Sequence, residues 1–250
     1  MGIQPFVADL HVHSVLSPCG DYQMAPEPVL RHARLKGINL IAITDHNSGD
    51  NVRAFCEASQ GTGIFVLPGM EVTTAEEIHV LTLFDRLEAL LQWQTIVYGA
   101  LPSLKNDEAY FGVQAEVNAK NQVVRIHDRF FSGAICLSID AVVSQVNGLG
   151  GACIPAHVDK PAFSMTSQLG TIPPDLDVIA LEIYRATSLD EARQAYPDIN
   201  RYSLVRASDA HYLEDIGAAS TTYFMEGPTI QELRKALLHI EGRRFTVEPI

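Results

Sequence analysis

The sequence predicts an α/β protein assembled from β/α units, and three observations carry that prediction. Short apolar runs suited to strands, polar outlets and helix-forming stretches recur in that order along most of the chain, the rhythm of parallel strands joined by crossover helices. A length of 250 residues with 47% hydrophobic content suits one domain with a large core and lies in the range of α/β barrels. Imidazole and carboxylate side chains collect just past the predicted strand ends, where barrels of this kind place their active sites.

Phe6 to Val12 reads as the opening strand, carrying Asp9, His11 and then His13. Side chains two apart on an extended backbone share a side, so His11 and His13 can reach one ligand together, and a neutral imidazole is a common metal ligand. Ser14 to Ala25 is a loop rich in Ser, Pro, Cys and Asp. Pro26 to Lys36 is predicted helical, with Pro28 in the first turn, Val29, Leu30 and Ala33 on one face, and Gly37 as the stop. Leu40 to Thr44 is an unbroken apolar run, as for a strand covered on both faces, and it delivers Asp45 and His46. A helix over Asn51 to Gln60 follows, then a strand over Gly63 to Leu67 with Gly69-Met70-Glu71 at its outlet.

His79 opens a further strand to Phe84, and Arg86 to Tyr98 reads as a helix. The region 85–137 is read as a small insertion on one rim, with a hairpin between Gln114–Val117 and Val123–His127. Ser138 caps a helix whose apolar stripe is Ile139, Val142, Val143 and Val146, ending near Gly148. Gly151 to Pro155 leads to His157, Val178 to Ile183 carries Glu182, and Leu204 to Ala207 runs into Ser208-Asp209-Ala210-His211. Thr222 to Phe224 is a last short strand. In the closing helix Thr229 and Glu232 have capping-box spacing, and Ile230, Leu233, Leu237 and Ile240 share a side.

Eighteen basic against thirty acidic residues give a net charge of -12, which argues against stable capture of duplex nucleic acid through its phosphates. Bound cations would invert that potential locally. Cys19, Cys56, Cys136 and Cys153 form no C-x-x-C pair, and no apolar run is long enough to span a bilayer. The expectation is a soluble cytoplasmic protein with no membrane partner and an oligomeric state left open.

A site rich in imidazole and carboxylate but poor in thiolate suits zinc, manganese or iron better than calcium or magnesium. Two such ions ~3.5–4 Å apart can activate a water and stabilise the attacking and leaving oxygens of a phosphoryl group, so phosphoester hydrolysis follows. Neither a Gly-rich phosphate loop nor a G-x-S-x-G elbow competes.

Asp9-Leu10-His11-Val12-His13-Ser14, Ile43-Thr44-Asp45-His46-Asn47, Gly69-Met70-Glu71-Val72, Pro155-Ala156-His157 and Ser208-Asp209-Ala210-His211 resemble, in order, the successive motifs of the PHP family, the polymerase and histidinol phosphatase domain. The resemblance runs from about residue 6 to about residue 215 and implies a distorted (β/α)7 TIM-like barrel with two or three divalent ions at the strand ends and phosphoesterase activity, and length and composition make 1–250 a single domain. By motif, His11, His13, Asp209 and Glu71 would hold a first ion. Glu71 would bridge to a second completed by His79 and His157, with His46 and His211 on a third. Three-metal members often carry a further histidine where this chain has Cys19, followed by Asp21, so both join the candidate ligands.

Asp9 and Asp45 are expected to accept hydrogen bonds from ligand histidines. A hydroxide bridging the first two ions would attack phosphorus, with Glu71, Asp209 and His211 as catalytic candidates. Lys160, Arg185 and Arg206 are candidate phosphate clamps, while Glu182 either orients substrate or pairs with Arg185. The leading expectation is hydrolysis of a small phosphorylated metabolite or nucleotide. The alternatives are a 3′-to-5′ exonuclease acting on oligonucleotides and a non-catalytic, metal-stabilised binding module.

Overall fold

The apolar runs become a curled mixed sheet with helices packed around it. The structure is a computed structural model that describes residues 2–248. In chain order it forms β1 (Gln4–Val12), α1 (Pro26–Leu35), β2 (Leu40–Ile43), α2 (Val52–Ala58), β3 (Phe65–Thr73) and β4 (His79–Leu83). Then come α3 (Leu87–Ala100), α4 (Glu108–Phe111), β5 (Ala115–Val117), β6 (Val123–Ile126), α5 (Ile139–Gly148), β7 (Ala152–Pro155) and α6 (Met165–Leu169). The last part holds β8 (Leu181–Glu182), α7 (Leu189–Ala195), β9 (Leu204–Val205), β10 (Thr221–Met225), α8 (Ile230–Leu237) and β11 (Arg244–Val247).

The main sheet runs β11-β10-β1-β2-β3-β4-β7. β1, β2 and β3 are parallel, and every residue of β2 is buried, as its unbroken apolar run predicts. A Cβ on Gly69 would stand 2.9 Å from Cγ2 of Thr44 and 3.1 Å from the carbonyl oxygen of Ile43, so glycine is what lets β3 approach β2 there.

The sheet departs from the all-parallel expectation at β4, which turns back antiparallel to β3 with Thr73 opposite His79. That reversal places His79, the first residue of its strand, at the same end of the sheet as the last residues of β1 to β3. β4 also pairs antiparallel with β7. Beyond β7 the curl continues through short links: Val158 N donates to the Glu182 carbonyl at 2.9 Å, and β8 pairs in parallel with β9. After β9, Ala210 N donates to the His11 carbonyl and His13 N to the Ala210 carbonyl, returning the circuit to β1. The result is a distorted, TIM-like barrel stitched at β8 and β9 by brief pairings, with β10 and β11 as an antiparallel extension.

The helices follow the sequence pattern with informative exceptions. α1 buries Val29, Leu30 and Ala33, and Ser138 caps α5 by accepting from Ala141 N. α3 was expected within the insertion, yet it buries Leu90, Trp93 and Val97, and Trp93 Nε1 donates to Thr82 Oγ1 at 3.1 Å. It is therefore core, and the rim begins after Ala100, where the β5-β6 hairpin leaves Val123, Val124 and Ile126 exposed. Asn47 ties that rim to the end of β2 by donating to the carbonyls of Phe131 at 2.6 Å and Gly133 at 2.8 Å.

The capping box of α8 is half formed. Thr229 accepts from Glu232 N, but the Glu232 carboxylate goes to Arg243 and Glu226 N, and the helix stops before Ile240. α6 and α7 are too short to leave a periodic signature, although both open with a complete capping box. Among the described residues no helix is long and apolar enough to cross a membrane.

Candidate metal centre

Glu71, near the end of β3 and only 1% exposed, is the hub. Its Oε1 lies 2.9 Å from His79 Nδ1, 3.2 Å from His11 Nε2 and 3.5 Å from His157 Nε2. Its Oε2 lies 2.9 Å from His46 Nδ1 and 3.4 Å from His13 Nε2. Asp209 Oδ1 sits 3.4 Å from His11 Nε2, 3.3 Å from His13 Nε2 and 3.6 Å from His211 Nδ1. The strand ends bring all of these groups together, and two of the outlets leave in left-handed conformations, His157 at φ +30° and Asp209 at φ +50°. Such backbones are costly for non-glycine residues and gather where a side chain must be aimed.

The donor set fits divalent cations. Among the described residues Glu71 Oε1 and Oε2, Asp209 Oδ1, His46 Nδ1 and His157 Nδ1 are buried without a hydrogen-bond partner, a costly state for polar atoms. The nitrogens that face Glu71 and Asp209, 2.9–3.6 Å from the carboxylate oxygens, are spaced as ligand atoms would be about a cation at ~2.0–2.2 Å. Within this cluster three groups have ligand atoms within 4.8 Å of one another, namely His11, His13 and Glu71; His46, Glu71 and His79; and His13, His46 and His211; a fourth group, Asp50, Glu116 and His127, lies apart from these residues.

Behind the innermost histidines stand fixed acceptors. Glu182, also buried, holds both carboxylate oxygens against His11 Nδ1 at 3.1 and 3.2 Å, and Oε1 also accepts from His157 N at 3.1 Å. Its role, open at the sequence level, is to orient His11 and not to pair with Arg185. His13 Nδ1 lies 2.9 Å from Ser17 Oγ, whose hydroxyl donates to Asp45 Oδ1 at 2.7 Å. With that proton committed to Asp45, Ser17 accepts from His13 Nδ1–H, which leaves Nε2 free to ligate. Both aspartates differ from expectation: Asp45 accepts from Ser14 and Ser17 and reaches His13 only through Ser17, while Asp9 accepts from Ser208 N and Gly217 N, fixing the loop that carries Asp209 and not an imidazole. Burial pushes the Asp9 carboxyl up to about 6.

In the metal-free protein the cluster is strongly coupled. Burial alone would raise Glu71, but His79, His11 and His46 hold it well below the usual carboxylate range. Burial likewise opposes charge on His11, yet Glu182, Glu71 and Asp209 raise it well above an ordinary imidazole. His13, buried and facing His211, is pushed well below.

The remaining candidates divide. Cys19 is at the solvent edge beside His46 and His211; burial of its sulfur would raise the thiol, but those imidazoles bring it down to about 6. Asp21 does not join the cluster, because its Oδ1 accepts from Gln23 N at 2.8 Å within its own turn. Lys160 does reach the site, with Nζ 3.1 Å from Asp209 Oδ2. Arg185 is held by Asp215 at 3.0 Å and by the Ser208 carbonyl at 3.1 Å. Arg206 is buried and donates to the carbonyls of Glu248 and Arg185, so its guanidinium braces the chain instead of facing a substrate. Sequence reasoning passed over Ser17 and Phe163, whose ring stacks on His79. Neither lies in a recognisable motif, and only the fold brings them to the site.

A family model described as the PHP domain matches residues 9–214. The chain belongs to the PHP domain family. Together with the donor set, membership places this PHP domain among metal-dependent hydrolases of phosphoester bonds, and the non-catalytic reading falls away. A 5′-3′ exoribonuclease of Haemophilus influenzae is 33% identical over 94 residues, covering 34% of this chain and 33% of that protein.

The fold is similar to that of the lesion-specific endonuclease Q from Pyrococcus furiosus, with a TM-score of 0.66 at 18% identity over 97% of this chain and 58% of that one. It is also similar to endonuclease Q in complex with a 27-mer duplex bearing an abasic lesion, with a TM-score of 0.65 at 19% identity over 96% of this chain and 58% of that one. A provisionally named metal-dependent phosphoesterase from Bifidobacterium adolescentis gives a TM-score of 0.55 at 19% identity over 82% of this chain and 87% of that one. The PHP domain thus spans about a third of the exoribonuclease and 58% of endonuclease Q.

These likenesses correct the expectation of a small phosphorylated partner and no duplex nucleic acid. The same fold in endonuclease Q takes a duplex substrate. The net charge misled because it averages over the whole surface, whereas phosphate capture depends on cations placed locally.

Proposed function

We propose that this PHP domain hydrolyses phosphodiester bonds in nucleic acid, acting on strand ends or on nucleotides drawn out of a helix. The observation that carries the reading is the depth of the eight-residue donor cluster. His11, His13 and Glu71 are fully buried, and only His46, His79, Asp209 and His211 show partial exposure towards the mouth. A phosphate inside a stiff, stacked duplex cannot descend to such a floor, whereas a terminal or extruded nucleotide can. The sequence likeness to an exoribonuclease supports ends as the point of attack.

In this reading His11, His13, Glu71 and Asp209 would hold one cation, Glu71 with His79 and His157 a second, and His46 with His211 and Cys19 a third. Divalent cations bound there supply Lewis acidity that activates water and neutralises the phosphoryl oxygens. The chain's own contribution is placement: Glu71 shares its two oxygens, Glu182 and Ser17 fix the imidazoles, and Lys160 offers a cation beside Asp209 for a phosphate oxygen.

The test is an assay of manganese-, zinc- and iron-loaded protein on 5′-phosphorylated single-stranded RNA and DNA, on duplexes, and on mononucleotides and histidinol phosphate. Release of nucleotides from single strands is expected. Turnover confined to the small monoesters would overturn the proposal.

A further inference from the structure

The loop that leaves His157 carries an aromatic side chain for which the metal centre itself has no need. Phe163 is 44% exposed although it borders a buried cluster, and its backbone stands at φ +55°, a costly left-handed conformation for a bulky residue. One face of its ring lies on His79, with centroids 4.9 Å apart and planes inclined by 18°. Its carbonyl accepts from His79 N at 3.0 Å, so both ring and backbone are registered to the strand that bears the ligand.

The rest of the loop is pinned. Ser164 Oγ donates to the Lys160 carbonyl at 2.6 Å, and Thr166 Oγ1 donates to the Val158 carbonyl at 2.7 Å. Lys160, on the same loop, reaches Asp209. One pinned loop therefore carries a cation to Asp209 and a flat apolar ring to His79, both at the site. Holding such a ring half in water forgoes the free energy its burial would return, unless something else covers it. A phosphate with a flat ring attached matches both features, and aromatic side chains serve as stacking surfaces for bases of any sequence.

We propose that Phe163 is the platform on which the nucleobase next to the scissile phosphate stacks, backed on its other face by His79. This rests on the nucleic-acid reading above. Purines, with the larger ring, should be favoured modestly over pyrimidines.

The test compares wild type, Phe163→Ala and Phe163→Tyr on a short 5′-phosphorylated oligonucleotide and on the same strand with an abasic terminal nucleotide, with metal content measured for each protein. Phe163→Ala should raise KM about ten-fold on the base-bearing strand, change kcat by no more than about two-fold, and leave the abasic strand and the metal content unaltered. Phe163→Tyr should behave as wild type. Equal losses on both strands, or lost metal, would assign Phe163 to the support of His79 and overturn the platform, as would no loss on either strand. Wild-type protein that cleaves only base-free monoesters would remove the nucleic-acid reading itself. That outcome is distinct from an enzyme that cuts oligonucleotides regardless of Phe163.

Discussion

The two flanks of the metal centre are built to different standards. On the inner flank His11 and His13 are fully buried, and each has its Nδ1 engaged from behind, by Glu182 in one case and by the Ser17–Asp45 pair in the other. On the outer flank His46 turns its Nδ1 towards Glu71 at 2.9 Å with 11% of its side chain exposed, and His211 is 22% exposed with its Nδ1 against the Asp209 carbonyl. Imidazoles oriented by a buried carboxylate lose little freedom on binding a cation, whereas those facing solvent must be ordered by it. From this difference we propose that the cluster would bind cations with unequal affinity, inner ones tightly and an outer one exchangeably.

The largest effect should come from the group common to both flanks. Glu71→Gln keeps the shape but removes the charge that five imidazoles face. Turnover is expected to fall by at least about 10²–10³-fold, and metal analysis should show loss on both flanks. Wild-type protein should gain thermal stability on metal addition, by roughly 4 kcal/mol when the metal stands at a thousand times its Kd, and the variant should lose most of that gain. A variant that retained full metal and turnover would refute the bridging position of Glu71.

A smaller effect separates the flanks. Glu182→Gln and Asp45→Asn leave every ligand in place but weaken the acceptors behind His11 and His13, and each should reduce metal affinity by about 10–100-fold. Competition with a chelator measures this directly. If either variant released metal no more readily than one altered at the outer flank, the comparison would break.

How much of this was legible beforehand follows the same division. The donors His11, His13, Glu71, His157, Asp209 and His211 stood at strand outlets in short motifs, so periodicity and spacing alone placed them together. His79 was harder, because it opens a strand, and only the antiparallel turn into β4 brings it to the site. The supports were less visible still. Glu182 lies far along the chain from His11, Ser17 sits in a loop without pattern, and Arg206 looked like a phosphate clamp until its guanidinium was found bonded to backbone carbonyls. Orientation from behind is a three-dimensional relation between elements that a linear pattern does not encode. The extent of the rim differs for a related reason: the insertion was drawn from residue 85, but α3 supplies Leu90, Trp93 and Val97 to the core, a packing relation that its place in the chain does not reveal.

The smallest and most diagnostic effect concerns Cys19. In the metal-free protein its thiol, brought down to about 6 by His46 and His211, should be mostly thiolate at neutral pH. Alkylation by iodoacetamide should then climb with pH to a midpoint near 6 and level off above it, because below that value the protonated thiol reacts slowly. An ordinary cysteine would still be accelerating through pH 8. A cation on the outer flank competes for the same sulfur, so added metal should slow alkylation at Cys19 while Cys136, also exposed, keeps its rate. Cys19→Ser should cost about one equivalent of the weakly held metal and leave the inner pair in place. Protection of Cys19 only at metal concentrations that have already saturated turnover would fit an exchangeable outer ion. Protection in step with the inner ions would show that the flanks fill together, and the unequal support behind the histidines would then have no bearing on affinity.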